Sequence, residues 1–283
     1  MNAGRPSLTA DSGFTRDGLP YNRLGDGPRT AVAFPGLNFE NRPLRGREVR
    51  FTLASYRPLL PEYTVYVLGR RKGLREGYTL ADMADDYAWA IAEEFPGPVD
   101  VLGTSTGGSL ALQFGADHGD LVRKLVVHSA AYKLGPAGKE VQLRVRDLAR
   151  DGRWREANAA LVEFVFKPSW YRGLAVRVAS ALMAMNAPDD PSDLIITIEA
   201  EDAFDLHERL GEITAPTLVI AGAHDPFYTE ELFRQTAQGI PGAREVIYPD
   251  MGHPAGGSEF ERELRSFLLS DLTVREAGDR RGP

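Results

Sequence analysis

The sequence predicts an α/β fold in which a mainly parallel β-sheet is flanked by helices and carries an inserted all-helical cap. Short β-rich segments alternate with helical periods along most of the chain, and this alternation is typical of a parallel sheet covered on both faces. Between residues 132 and 206 the alternation stops and only helical periods occur. We therefore predict a core at residues 1–131 and 207–270, a cap at 132–206 and a polar tail at 271–283.

The first part of the chain contains an alternating segment, two predicted strands and one long helix. The alternating segment, residues 14–24, runs into a Gly-Asp-Gly-Pro turn. Strands are expected at residues 30–34 and 63–68, where short β-rich runs end at proline or glycine. A helix is expected over residues 79–95, because Thr79 is a suitable N-cap and the apolar residues after it recur on one face.

The second part of the chain continues the alternation around the predicted cap. Strands are expected at residues 99–102, 121–128, 217–221 and 245–248. Core helices are expected near residues 109–116, 229–238 and 259–269. Helical periods within the cap cover residues 141–151, 154–166, 171–185 and 192–204. Ligands bind at the carboxyl ends of the strands in open α/β sheets, so a cap that begins after the strand at 121–128 can roof the binding site.

The composition excludes several classes of function. The 283 residues carry a net charge of −7, whereas a nucleic-acid-binding protein needs a basic face that neutralises phosphates. The sequence contains no cysteine, which excludes disulfides, thiolate catalysis and cysteine-ligated metal sites. No apolar run reaches the roughly 18 residues of a membrane-spanning helix, and residues 1–30 show no signal-peptide pattern. We therefore expect a cytoplasmic protein with no nucleic-acid partner and no membrane span.

The strongest motif is Gly103-Thr104-Ser105-Thr106-Gly107, a G-x-S-x-G directly between a predicted strand and a predicted helix. A turn this tight forces the serine into a strained conformation that lifts its hydroxyl above the sheet. The residues two before and two after the serine then approach each other, which explains Gly103 and Gly107. The following helix directs its positive N-terminus at the serine. A connecting loop rich in glycine and serine is the simpler interpretation of the motif taken alone.

A serine hydroxyl is a poor nucleophile unless a base takes its proton. His253 lies in a loop after the strand at 245–248, at the edge of the sheet where ligands bind. Asp225 follows the strand at 217–221 and reaches the same edge, where a carboxylate can orient the imidazole. Asp225 is also compatible with a simple Asp-Pro turn, and His253 with an exposed loop. The other histidines are interpreted as surface residues (His118 and His207), a structural residue (His224), and a packing or substrate-contact residue (His128).

Two backbone N–H groups are expected to stabilise the oxyanion that forms during acyl transfer. One belongs to Thr106, directly after the nucleophile, and the other to Leu37, in the loop after the strand at 30–34. Gly36 permits a sharp bend that aims the N–H of Leu37 inward. A Pro35-Gly36 turn without this role is nearly as simple an interpretation.

Together these residues resemble the α/β-hydrolase superfamily over about residues 14–269. The similar segments are 103–108 for the nucleophile elbow, 216–226 for the acid strand and turn, and 251–253 for the histidine loop. The resemblance implies the α/β-hydrolase fold, a helical cap, and no metal or organic cofactor. It also implies a catalytic triad in the chain order that this superfamily uses, which here is Ser105, Asp225 and His253.

The sequence departs from the common pattern of this superfamily at two places. Many relatives have His-Gly in the oxyanion loop, where this chain has Pro35-Gly36. Many also have Asp-x-x-Gly-x-Gly-x-Ser after the strand at 63–68, where this chain has the segment 69–74. The resemblance therefore identifies no subfamily. A serine at position 105 excludes a resemblance to the haloalkane dehalogenases and epoxide hydrolases, which use aspartate there.

The expected activity is hydrolysis of a carboxylic ester, or a related acyl bond, in a small molecule. The same triad supports C–C bond hydrolase, thioesterase, lactonase and perhydrolase activities, and a ligand-binding protein without catalysis is the alternative of another class. Candidate pocket residues are His128, Phe164, Trp170, Tyr171 and Met183, although helical spacing favours core packing for those in the cap. The basic run, residues 70–72, fits a solvated loop better than a site for acidic substrates. The oligomeric state stays open.

Overall fold

A twisted β-sheet with helices on both faces forms the frame of the protein. The computed structural model describes residues 10–46, 48–50, 55–60, 62–165 and 190–270. The strands within these residues are β1 (Ala10–Phe14), β2 (Pro20–Leu24), β3 (Arg29–Phe34), β4 (Tyr63–Leu68), β5 (Val99–Thr104), β6 (Val122–His128), β7 (Thr217–Gly222) and β8 (Arg244–Tyr248). Their spatial order is β1-β2-β4-β3-β5-β6-β7-β8. Only β2 pairs antiparallel with its described neighbours β1 and β4, which confirms the predicted mainly parallel sheet.

Helices cover both faces of this sheet. The α-helices whose bounds lie wholly within the described residues are α1 (Leu80–Glu94), α2 (Thr106–Asp117), α3 (Pro136–Arg150), α4 (Trp154–Val165), α5 (Ser192–Asp202), α6 (Glu230–Gly239) and α7 (Ser258–Leu269). Successive side chains of a strand point to opposite faces. Along β3, Val32 and Phe34 belong to the apolar cluster that includes α1, α2 and α6, whereas Ala31 and Ala33 belong to the cluster that includes α7. The central strands are therefore apolar on both faces, as expected for a covered parallel sheet.

The observed elements differ from the predicted ones in a few places. The segment predicted only as alternating forms a hairpin, and β1 was missed because its Asp-Ser-Gly stretch has low β-propensity. Helix α3 begins at Pro136, earlier than predicted, because proline is favoured in the first turn. The predicted helix at 171–185 and the polar tail at 271–283 lie outside the described residues. The division into core and cap stays a prediction.

Three described helices between β6 and β7 pack around an apolar cluster of their own. Its buried members are Val145, Leu148, Ala149, Ala157, Ala160, Leu194 and Ile198. The partly buried side chains of Leu37 and Phe39, from the loop after β3, pack against this cluster. The inserted helices therefore contact the carboxyl edge of the sheet, where the candidate site is predicted.

Glu201 joins helix α5 to the core. Its buried carboxylate accepts hydrogen bonds from Ser109 Oγ at 3.2 Å, from Gln142 Nε2 at 3.0 Å and from Tyr228 Oη at 3.1 Å. Ser109 belongs to α2 and Tyr228 follows β7, so one acid on an inserted helix binds two core segments at once. Because a buried carboxylate without such donors would be costly, these bonds fix α5 over the end of the sheet.

Candidate active site

Ser105 forms a sharp turn between β5 and α2. Its backbone has φ 55° and ψ −128°, a left-handed conformation that a non-glycine residue adopts only when its surroundings impose it. Its N–H donates to the carbonyl of His128 at 3.0 Å, and its carbonyl accepts from the N–H of Ser109 at 3.1 Å. The strand on one side and the helix on the other therefore hold the strained serine in place.

Two glycines allow the close approach of the chain on either side of Ser105. A Cβ atom on Gly103 would lie 2.2 Å from the carbonyl oxygen of Gly107. A Cβ atom on Gly107 would lie 2.1 Å from the carbonyl oxygen of Phe34. Since both obstacles are backbone atoms that cannot turn aside, no larger residue fits without displacing a strand. This close approach is the reason that the sequence analysis gives for glycine at both positions.

We expect Gly107→Ala to lower the free energy of unfolding by about 3 kcal/mol, because the added methyl group has to push α2 away from β3. Urea unfolding followed by circular dichroism measures the change. Gly211→Ala is a matched control, since a Cβ atom there meets nothing within 4 Å, and its effect should stay within about 0.5 kcal/mol. Wild-type stability in the Gly107→Ala protein would contradict the close contact between α2 and the end of β3.

The three residues proposed as a triad come together at the carboxyl edge of the sheet. His253 Nε2 lies 3.0 Å from Ser105 Oγ, and His253 Nδ1 lies 2.6 Å from Asp225 Oδ2. The side chain of Asp225 is fully buried, and that of His253 is only 7% exposed. The other carboxylate oxygen, Oδ1, accepts from the backbone N–H of Phe227 at 2.9 Å and of Tyr228 at 3.3 Å. The hydroxyl, imidazole and carboxylate thus form one continuous hydrogen-bonded chain.

The loop that carries His253 is tied to the end of β6 through Ala255. The carbonyl oxygen of Ala255 lies 2.8 Å from His128 Nε2, and its N–H donates to Ser129 Oγ at 3.0 Å. Ser129 is fully buried and has a positive φ of 49°, so its own position is firmly imposed. The N–H and the carbonyl of Ala255, two residues after His253, are therefore both held at the end of β6. The sequence analysis does not identify Ser129, because this residue belongs to no recognisable motif.

His128 has a protein partner at each ring nitrogen. A carbonyl oxygen only accepts hydrogen bonds, so Nε2, which faces Ala255, carries the hydrogen. Nδ1 then accepts from the hydroxyl of Thr104 at 3.1 Å. The ring stacks on Phe260 of α7 with 4.4 Å between the ring centroids. Of the two predicted roles, packing and substrate contact, this geometry favours packing.

We expect His128 to make the folded protein less stable in acid. The pKa of His128 is lowered from 6.5 to about 4, chiefly by burial; the carbonyl of Ala255 acts in the opposite direction, and the nearby His253 contributes to the lowering. Between these two pKa values the unfolded chain binds the proton and the folded protein does not. The free energy of unfolding therefore increases with pH across this window, by about 3 kcal/mol for this one group.

The measurement compares urea unfolding at several pH values for the wild type and for His128→Gln. The glutamine variant has no titrating group at this position, so it should lose this part of the pH dependence. An equal pH dependence in both proteins would show that His128 is not the group responsible.

The loop after β3 lies directly against the nucleophile. A Cβ atom on Gly36 would be 3.4 Å from Ser105 Cβ and 4.0 Å from Ser105 Oγ. Thr106 is the first residue of α2, and the first N–H groups of a helix have no partner within it. The use of the Leu37 and Thr106 N–H groups for an oxyanion stays a prediction.

The basic run after β4 is not the solvated loop that the sequence suggests. Arg70 is 1% exposed and donates to the carbonyl oxygens of Pro35 at 3.1 Å and Gly36 at 2.8 Å. Arg71 forms ion pairs with Asp17 and Asp86, and of the three basic residues only Lys72 is exposed. The reason is topological: β3 and β4 are parallel neighbours, so the residues after one strand meet the loop after the other.

Aromatic side chains cover the histidine on the side of the inserted helices. The ring of Phe227 lies 4.6 Å from that of His253, and Phe164 of α4 packs edge-on against Phe227 at 4.9 Å. Among the candidate pocket residues, Phe164 therefore contacts the triad only indirectly, by packing against Phe227. Trp170, Tyr171 and Met183 lie outside the described residues. Phe227 was missed, although its position just after Asp225 could have indicated it.

Neither a metal site nor a membrane span is found in the part of the chain that the structure describes. No group of three or more histidine, aspartate and glutamate side chains there is placed to hold a metal ion. None of the described helices is long and apolar enough to cross a membrane.

Comparisons with known proteins identify the family of the chain. The model of the alpha/beta hydrolase family matches residues 18–263. RutD of Variovorax paradoxus, which is assigned as a carbamate hydrolase, is 29% identical over 202 residues, covering 69% of this chain and 75% of its own. The pimeloyl-[acyl-carrier protein] methyl ester esterase of Nitrosomonas europaea is 26% identical over 180 residues, covering 61% of this chain and 71% of its own.

A solved structure has the same fold. The enol-lactonase of Burkholderia xenovorans LB400 superposes with a TM-score of 0.72 at 21% identity, covering 92% of this chain and 100% of its own. The match of the family model spans most of the chain and includes the elbow, the acid turn and the histidine loop. The chain therefore belongs to the alpha/beta hydrolase family and is a hydrolase.

Proposed function

We propose that the protein hydrolyses a carboxylic ester, or a related acyl bond, through an acyl-enzyme formed on Ser105. The observation that carries this proposal is the chain of hydrogen bonds from Ser105 Oγ through His253 to Asp225, at 3.0 and 2.6 Å. Each member of this chain sits where the reaction needs it. The hydroxyl is at a strained turn, the imidazole is within proton-transfer distance, and the carboxylate is buried behind the imidazole.

The proposed reaction begins with attack of Ser105 Oγ on the acyl carbon while His253 Nε2 takes the hydroxyl proton. The tetrahedral intermediate collapses, and His253 returns the proton to the departing alcohol. Water then attacks the acyl-enzyme with the same assistance, and the acid is released. Asp225 stabilises the imidazolium that forms in both halves of the reaction. The backbone N–H groups of Phe227 and Tyr228 bind its Oδ1 and so hold the carboxylate in this orientation.

The oxyanion is proposed to bind to the N–H groups of Leu37 and Thr106. Gly36 lies against Ser105, so the peptide that follows Gly36 is close to the position of the developing negative charge. Thr106 contributes the first N–H of α2, at the positive end of this helix. One such donor accounts for a factor on the order of 10² to 10³ in rate.

The inserted helices are proposed to form a cap that shapes the substrate pocket. The contact between Phe164 of α4 and Phe227 supports this role, because Phe227 in turn covers His253. An apolar lining next to the imidazole favours an apolar acyl or alcohol group over a charged one. The ester-cleaving and carbamate-cleaving names among the relatives are consistent with acyl-bond hydrolysis on this scaffold.

The test combines covalent labelling with turnover. We expect a fluorophosphonate to label the wild type at the peptide that contains Ser105, and p-nitrophenyl esters of increasing acyl length to give a burst of nitrophenol. A matched set of aryl esters, aryl carbamates, thioesters and lactones with the same acyl group then identifies the preferred bond. A folded protein that neither reacts with the fluorophosphonate nor turns over any member of the set would refute the proposal and favour a ligand-binding role.

A further inference from the structure

Arg70 is buried beside the loop that follows β3. It comes two residues after the end of β4, and the parallel pairing of β3 with β4 brings it to the 35–37 segment. Its side chain is among the largest that the described core encloses completely. Burial of a guanidinium is costly because the charge loses its hydration, and burial accordingly lowers the pKa of Arg70. Favourable contacts of the guanidinium must offset this cost of burial.

The hydrogen bonds of Arg70 show what its charge is used for. In the described part of the chain both partners are main-chain carbonyl oxygens: that of Pro35 at 3.1 Å from Nη1 and that of Gly36 at 2.8 Å from Nη2. Nε is buried without a partner. Glu201 and Asp193 act on the guanidinium only through their longer-range charge. The guanidinium is thus fitted to two consecutive peptide groups of the loop rather than to a carboxylate.

We propose that Arg70 is a positioning residue that orients the peptide group between Gly36 and Leu37 for oxyanion binding. The proposal rests on the proposed function of this site. The carbonyl of Gly36 and the N–H of Leu37 belong to the same planar trans peptide, in which they point in opposite directions. By binding the carbonyl oxygen, Arg70 directs the N–H to the other side of the loop. Gly36 places that peptide against Ser105.

The charge of Arg70 has a second effect on the same peptide. A cation that binds the carbonyl oxygen draws electron density toward it, which makes the N–H of that peptide a stronger donor. Because the region is buried, water does not screen this effect. Preorganised donors contribute mainly to the transition state rather than to substrate binding. Loss of Arg70 should therefore lower kcat and leave KM nearly unchanged.

The experiment uses Arg70→Met, Arg70→Lys and the control Arg71→Met. Methionine keeps length and apolar contacts but removes every donor, so kcat on an aryl ester should fall about a hundredfold with KM within about threefold. Lysine keeps the charge and one donor group, so the kcat of Arg70→Lys should be about tenfold higher than that of Arg70→Met. Arg71 is half-buried and pairs with Asp17 and Asp86 rather than with the 35–37 segment, so Arg71→Met should keep wild-type kcat. Fluorophosphonate labelling, in which Ser105 displaces fluoride while negative charge develops on the phosphoryl oxygen, needs the same oxyanion donors, so its rate should follow kcat in each variant.

The outcomes separate this inference from the proposed function. If the wild type reacts at Ser105 and a folded Arg70→Met protein keeps kcat within about twofold, the positioning role is wrong. The role is also wrong if KM rises while kcat stays constant, because Arg70 would then act in substrate binding. If Arg70→Met does not fold, the Arg70→Lys protein decides by the same criteria. If the wild type does not react at all, the proposed function fails, and this inference fails with it.

Discussion

A Ser105→Ala protein is expected to lose ester hydrolysis, with kcat reduced by roughly 10⁶. The change removes the atom that attacks the substrate, and His253 Nε2 is left without the hydroxyl that lies 3.0 Å away. Binding and oxyanion stabilisation alone sustain a residual rate about 10³ times that of the reaction in water. The backbone of alanine is as strained as that of serine at a φ of 55°, so the elbow should keep its shape.

The measurement is turnover of a p-nitrophenyl ester, with thermal unfolding as the check on the fold. The unfolding temperature should stay close to that of the wild type, since only one hydroxyl group is lost. Ser266→Ala, on the exposed side of α7, is a matched serine control and should keep full activity. Turnover by the folded Ser105→Ala protein at the wild-type rate would contradict the assignment of the nucleophile.

The Asp225→Asn protein should lose a factor of about 10⁴ in kcat while keeping its geometry. The N–H groups of Phe227 and Tyr228 require an acceptor, so the asparagine has to present its oxygen to them. Its NH₂ group then faces His253 Nδ1, which must become an acceptor. The ring hydrogen consequently moves to Nε2, the nitrogen that faces Ser105. An Nε2–H cannot take the proton of the serine hydroxyl.

Turnover of the same ester measures this loss, and fluorophosphonate labelling should slow by a similar factor because it needs the same proton transfer. Asp250→Asn is a control of identical chemistry at an exposed position in the loop before His253, and we expect it to be fully active. A folded Asp225→Asn protein with more than about a tenth of the wild-type kcat would show that Asp225 does not set the tautomer of His253.

The sequence predicts well those features that depend on local rules and on the polarity of the sheet. Ser105, Asp225 and His253 each follow a strand whose apolar run is easy to identify, and parallel strands bring their carboxyl ends to one edge. The structure places the three side chains within hydrogen-bond distance along one chain of contacts. The ends of β3, β4 and β8 agree with the predicted ones, because a proline or a glycine follows each of these strands directly.

Other features could not be predicted because they depend on contacts between distant segments. Arg70 belongs to a run of basic residues, which usually indicates exposure, and only the pairing of β3 with β4 shows why it is buried. The tautomer of His128 depends on Ala255, which lies 127 positions further along the chain. Ser129 and Glu201 likewise act through partners that no local pattern identifies. Sequence periodicity describes which face of an element is apolar, and it says nothing of such pairings.

Strand β6 has a consequence for how the catalytic distance responds to motion elsewhere. Its last residues bind the amide of Ser105 on one side, and on the other they hold Ala255, close to the imidazole. A tilt of this strand end therefore carries nucleophile and base in the same direction. Because both contacts start from one strand end, a small displacement of that end leaves the spacing between hydroxyl and imidazole nearly constant.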